Sequence, residues 1–72
     1  MYKKFIEEVE SNKKLHPEWR LGQTMFNTLY KSHPNIADLI RGTTLDPFYK
    51  KDDQLEDFLQ YVKKTLDKRQ NN

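Results

Sequence analysis

Proline and glycine divide this chain more decisively than any other residues: Pro17, Pro34 and Pro47, with Gly22 and Gly42, interrupt its middle, while uninterrupted helical periodicity occupies both ends. Proline is tolerated in the first turn of a helix, where its missing N–H has no intrahelical partner, so His16-Pro17-Glu18 and Ser32-His33-Pro34-Asn35 each read as the opening of a helix. Before the first break, Tyr2, Phe5, Ile6 and Val9 fall at i, i+3, i+4, i+7, the spacing that gathers side chains into one stripe. That predicts a helix from Tyr2 to about Lys14. After the last break, Leu55, Phe58, Leu59, Val62 and Leu66 make a second stripe, with Asp52 or Asp53 as its expected cap and Glu56 completing a capping-box pattern. Lys63, Lys64, Lys68 and Arg69 suit the negative end of that helix dipole.

Between these lie two shorter elements. One is predicted from Trp19 to about Lys31, with Trp19, Gly22, Met25, Phe26, Leu29 and Tyr30 on an apolar face and Arg20, Gln23 and Asn27 along its border at i, i+3, i+7. Glycine inside a helix costs about 1 kcal/mol relative to alanine, so Gly22 implies that a backbone or a ring crosses close by. The other runs from Pro34 to Ile40, with Ile36, Leu39 and Ile40 pointing inward and Gly42 supplying the left-handed residue that closes it. The segment Thr43-Thr44-Leu45-Asp46-Pro47-Phe48-Tyr49 reads as a turn in which Asp46 bonds nearby amides and Leu45 and Phe48 plug the end of the core. No strand alternation occurs. The expected fold is all-α, a small bundle of about four helices with a structured loop over 41–49. Phe5, Val9, Phe26, Leu29, Leu39, Phe58, Leu59 and Val62 form its expected core.

A chain of 72 residues with 35% hydrophobic and 33% charged residues suits one thin-cored domain, expected over 1–69, with 70–72 frayed. No cysteine is present, so the core must hold without disulfides and no thiolate metal site exists. The basic and acidic residues, 13 and 11, alternate along the chain and give no strong pull toward nucleic acid or anionic lipid. No membrane span or signal-peptide core is seen, and the expected location is the cytoplasm.

For catalysis the chain offers only His16 and His33, both beside prolines at helix boundaries and unpaired with a nucleophile, so no enzyme is expected. Neither metal nor cofactor is expected: the histidines lack ligand spacing, and Asp52, Asp53, Glu56 and Asp57 lack the glycine and alternating oxygens of a calcium loop. What remains is a polar set of directed geometry beside aromatics. Trp19, Arg20, Gln23 and Asn27 on the second helix, with Arg41, Thr43, Thr44 and Asp46 in the following loop, are the candidate binding residues. They serve either to tie the 41–48 loop down, with Asp46 paired to Arg20 or Arg41, or to meet a partner.

The string Pro17-Glu18-Trp19-Arg20-x-Gly22-Gln23-x-x-Phe26-Asn27-x-Leu29, followed by Pro34, Ala37, Ile40-Arg41-Gly42-Thr43 and Asp46-Pro47-Phe48, resembles a family of small uncharacterised proteins of tailed phages and bacteria. The resemblance covers roughly residues 5–62 and implies an origin rather than a mechanism: a phage or prophage accessory protein in the bacterial or phage-infected cytoplasm. On these grounds the expected activity is non-enzymatic binding of a host or phage protein. The alternative is a small anionic ligand or nucleotide held by Arg20, Arg41 and the threonines. A nucleic-acid-binding helix-turn-helix is disfavoured by Asp38 and by the absence of a basic recognition helix.

Overall fold

The computed structural model describes the backbone of residues 1–70 and the surroundings of side chains 1–68. It contains four α-helices, α1 (Tyr2–Leu15), α2 (Leu21–Ser32), α3 (Pro34–Ile40) and α4 (Glu56–Gln70), with a 3-10 turn at Asp52–Gln54 and no strand among the described residues. The fold is all-α. Gln70, expected within the frayed tail 70–72, is instead the last residue of α4, and Asn71 and Asn72 lie outside the described residues.

α2 is the middle element. It packs on α1 along one side and on α3 along another, while α4 closes over α1. Phe5 and Val9 from α1, Met25, Phe26 and Leu29 from α2, Ile36, Ala37 and Ile40 from α3, and Leu55, Phe58, Val62 and Leu66 meet in one core. Each large side chain so buried contributes about 1.5–3 kcal/mol relative to exposure. Phe5 and Phe58 join the two outer helices, their ring centroids 6.4 Å apart. Tyr2 flanks this contact 6.3 Å from Phe5, and burial, aided by the Asp67 carboxylate, raises its phenol above the ordinary value of 10.0. The fold therefore favours the neutral phenol, a contribution lost as pH rises through and above that value.

The α1–α2 seam is built on threonine. Thr24 and Thr28 are buried, and their hydroxyls donate to the carbonyls one turn back, Thr24 to Arg20 at 3.0 Å and Thr28 to Thr24 at 2.7 Å. Such back-bonding satisfies each hydroxyl without a partner on the facing helix. The Thr28 oxygen also accepts from Asn12 Nδ2 of α1 at 2.9 Å, a polar tie across an otherwise close helix contact.

Three expectations are corrected here. The second helix starts at Leu21 rather than at Trp19. In a helix opening at Pro17, the carbonyls of Pro17 and Trp19 would accept from Leu21 and Gln23; instead Lys13 Nζ donates to both. Trp19 N–H closes a turn onto His16 C=O at 3.0 Å. Leu39 is 72% exposed and outside the core; Ala37 takes the inward place, because a seven-residue helix can bury 36, 37 and 40 as readily as 36, 39 and 40. Finally, neither Asp52 nor Asp53 caps α4. Leu55 reaches into the core and accepts the first helical bond, from Leu59 N–H at 3.0 Å. Gln54 Oε1 meanwhile accepts from Lys51 N–H at 3.2 Å. Glu56 and Asp57 still supply the acidic first turn that suits the dipole.

Phe58 is completely buried, so Phe58→Ala should cost about 3–5 kcal/mol, whereas Leu39→Ala should stay within about 0.5 kcal/mol of wild type. Denaturant titration of both variants checks the contrast, and equal effects would refute the assignment of Leu39 to the surface.

Candidate functional site: an aromatic ribbon bracketed by arginines

The loop between α3 and the 3-10 turn is held by its own short-range bonds. Gly42, at φ 74°, occupies the left-handed conformation that ends α3. Thr43 Oγ1 donates to Ile40 C=O at 2.6 Å and accepts from Leu45 N–H at 3.2 Å. Asp46 uses both carboxylate oxygens on backbone: Gly42 N–H donates to Oδ2 at 2.8 Å and Phe48 N–H to Oδ1 at 3.0 Å. Lys50 Nζ donates to Thr44 C=O. The expected Asp46–arginine pair is absent among the described residues; the amides occupy both of its oxygens, and Arg41 lies 3.7 Å from Asp38 instead.

The loop is seated on α2 at Gly22. A Cβ there would lie 2.1 Å from the Pro47 carbonyl oxygen and 3.4 Å from Leu55 Cδ2, so the crossing backbone inferred from the sequence is that of Pro47. Pro47 is buried. The next two residues are thereby laid against the helix: Phe48 meets Phe26 edge-on at 6.1 Å and Tyr49 at 4.8 Å. Phe26 in turn lies 6.4 Å from Tyr30.

An arginine stands at each end of this row. The Arg20 guanidinium is over the Tyr49 ring at 5.5 Å, and that of Arg41 is over Tyr30 at 5.0 Å and Phe26 at 5.5 Å. Cation–π placement of this kind contributes about 0.5–1 kcal/mol at exposed positions, and both arginine residues are exposed. The result is a continuous ribbon, Arg20, Tyr49, Phe48, Phe26, Tyr30, Arg41, of which Tyr49 is 80% and Tyr30 45% exposed.

Gln23 and Asn27 belong to the same surface. At about 100° per residue, positions 20, 23, 27 and 30 of the α2 segment fall within an arc of roughly 80°. Both carboxamides are half-buried, and neither side chain has a hydrogen-bond partner among the described residues. They therefore do not tie down the 41–48 loop, whose polar groups are satisfied internally. Trp19 departs from the group: its ring stacks on His16 at 3.9 Å and 10°, within the α1–α2 turn, and His16 Nδ1 lies 3.5 Å from Glu18. Of the eight candidate residues, Arg20, Gln23, Asn27 and Arg41 share this surface. Asp46 and Thr43 build the loop, Thr44 contributes its carbonyl to it, and Trp19 stabilises a turn. Tyr30 and Tyr49 complete the surface; the i, i+10 relation of Arg20 to Tyr30 is the one signal that links either of them to the polar stripe.

Other concavities are open surface grooves. One of about 570 Å³ runs along α4 and is lined by charges of both signs, Asp57 and Asp67 with Lys63 and Lys64. No group of three or more histidine, cysteine, aspartate or glutamate residues suited to a metal ion exists among the described residues, and no described helix is long and apolar enough to cross a membrane. No protein-family model, curated protein or solved structure matches the chain.

Two substitutions test this construction. Gly22→Ala gains about 1 kcal/mol of helix propensity but must displace the Pro47 backbone, so a net loss of about 1–3 kcal/mol is expected on thermal unfolding. Asp46→Ala removes two charge-assisted bonds from loop amides at a cost of about 1–2 kcal/mol. Faster hydrogen exchange at Gly42 and Phe48 should accompany that loss, and unchanged exchange there would exclude the staple.

Proposed function

We propose that this protein is a non-enzymatic binding module whose partner is another protein, engaged through the face formed by Arg20, Gln23, Asn27, Tyr30, Arg41 and Tyr49. The observation that carries this reading is the pair of unengaged carboxamides, Gln23 and Asn27, set in an aromatic ribbon with an arginine at each end. Polar side chains that neither bond the protein nor cap an element do little for folding. Tyrosine and arginine are also the residues that supply most binding energy where proteins meet. The small-ligand reading has less support: Thr43 already spends its hydroxyl on the loop, and the two arginines stand over different rings rather than converging on one cradle. The resemblance to small phage and bacterial proteins directs the search for a partner toward phage and host proteins of an infected cytoplasm.

Gln23→Ala and Asn27→Ala, alone and together, should leave stability within about 0.5 kcal/mol of wild type while abolishing partner capture from bacterial lysate. Tyr49→Ala, at the exposed end of the ribbon, should also abolish capture, at a stability cost of about 1 kcal/mol for its lost contacts with Arg20 and Phe48. Capture that survives all three substitutions, or is lost only in proportion to unfolding, would overturn the proposal.

A further inference from the structure

Resting on that reading, we infer that the occupant of the face is an extended acidic segment of the partner, with two carboxylates four residues apart and its main chain paired to Gln23 and Asn27.

The charge on this face is one-sided. Arg20 has no carboxylate within ion-pair distance among the described residues, and the Asp38 contact of Arg41 is 3.7 Å long between side chains more than half exposed, a pairing worth little. Asp46, the remaining acid of the loop, is spent on the amides of Gly42 and Phe48. Two exposed guanidinium groups thus remain largely uncompensated, and a planar fork is matched by a carboxylate through two parallel bonds.

The spacing selects the conformation. Arg41 lies over both Phe26 and Tyr30, so it stands opposite a point about eight residues beyond Arg20, or ~12 Å at the ~1.5 Å rise of a helix. An extended chain covers that distance in about four residues at ~3.3 Å each, and residues four apart in a strand point to the same side. Between the arginines, Gln23 and Asn27 are at i, i+4, with ~6 Å between their Cβ atoms, close to the two-residue repeat of an extended chain. Each carboxamide offers both a donor and an acceptor, the complement of one residue's N–H and C=O. A helical partner has its main-chain groups already paired and would leave these amides idle.

A single-stranded nucleic acid is the competing occupant, since arginine and tyrosine also suit bases and phosphates. The arginines argue against it. They lie on the faces of Tyr49 and Tyr30 that a base would stack on, and their separation exceeds the spacing between successive phosphates.

The test uses the full chain, labelled with 15N, and the blocked peptide Gly-Glu-Ala-Val-Ala-Glu-Gly, with versions carrying glutamine or lysine in place of glutamate and a thymidine decamer as comparators. The glutamate peptide should produce saturable shifts of the Gln23 and Asn27 side-chain amides. Glutamine should weaken these shifts and lysine abolish them. Arg20→Gln and Arg41→Gln should each weaken binding about three- to fivefold, as removal of one exposed ion pair implies, while lowering the melting temperature by only the few degrees that loss of a ring contact implies. Equal shifts with the glutamine peptide, no saturable shift with glutamate, or shifts produced only by the decamer would each overturn the inference. A captured partner that is lost in Gln23→Ala but indifferent to both arginine substitutions would also overturn it, while leaving the protein-binding reading in place. Capture insensitive to Gln23→Ala and Asn27→Ala would remove that reading itself.

Discussion

The missing side chain of Gly22 decides how the rest of this molecule is arranged. α2 must be approached by the Pro47 backbone and by the Leu55 side chain at the same place, so helix, loop and the entry to α4 converge where one residue has no Cβ. The helix loses propensity there. In return the loop descends onto α2 instead of standing off it, Pro47 is buried, and Phe48 is carried into edge contact with Phe26. The ribbon is a result of this crossing, because Tyr49 reaches Arg20 only by following Phe48 onto the helix.

The loop needs no help from the functional side chains once it is seated. Asp46 and Thr43 close it on themselves, and Gly42 provides the left-handed step that lets the chain leave α3. This division of labour separates two sets of polar residues that look alike in the sequence. Asp46 and Thr43 are consumed by backbone groups that would otherwise be unpaired, whereas Gln23 and Asn27 have no such duty. A side chain of the first kind answers for the loop's order, and one of the second kind is open to a partner.

Much of the architecture was legible from periodicity. Phe5, Val9, Phe58, Val62 and Leu66 stand out as buried stripes because a long amphipathic helix repeats its signal several times. The crossing at Gly22 and the cap at Gly42 were legible because glycine is costly in helices unless geometry demands it. The start of α2 was not, since Pro17 suits the second position of a turn as well as the first turn of a helix. A lysine four residues upstream decided between them by taking the carbonyls of Pro17 and Trp19. The exposure of Leu39 is not legible, because two turns of helix carry too few residues to distinguish one inward set from another. In the candidate site the polar stripe on α2 was visible, but the ring partners of its arginines were not. Arg20 meets Tyr49 and Arg41 meets Phe26 and Tyr30 through contacts between segments, which no local spacing encodes.

The bond from Asn12 to Thr28 has a consequence for which folded states the chain can mistake for its own. An apolar stripe such as Tyr2, Phe5, Ile6 and Val9 repeats nearly every turn, so α1 displaced by one turn along α2 would still bury hydrocarbon against hydrocarbon. A slip of one turn would carry Asn12 toward Thr24 in one direction and toward Ser32, which already bonds Glu8 of α1, in the other, so a hydroxyl waits at either place and the bond alone does not reject those alignments. A rotation of α1 about its own axis is different. It would turn the Asn12 carboxamide away from the row Thr24, Thr28 and Ser32 and break the 2.9 Å bond with no hydroxyl to replace it. The bond thus fixes which side of α1 faces α2 rather than how far along α2 it lies.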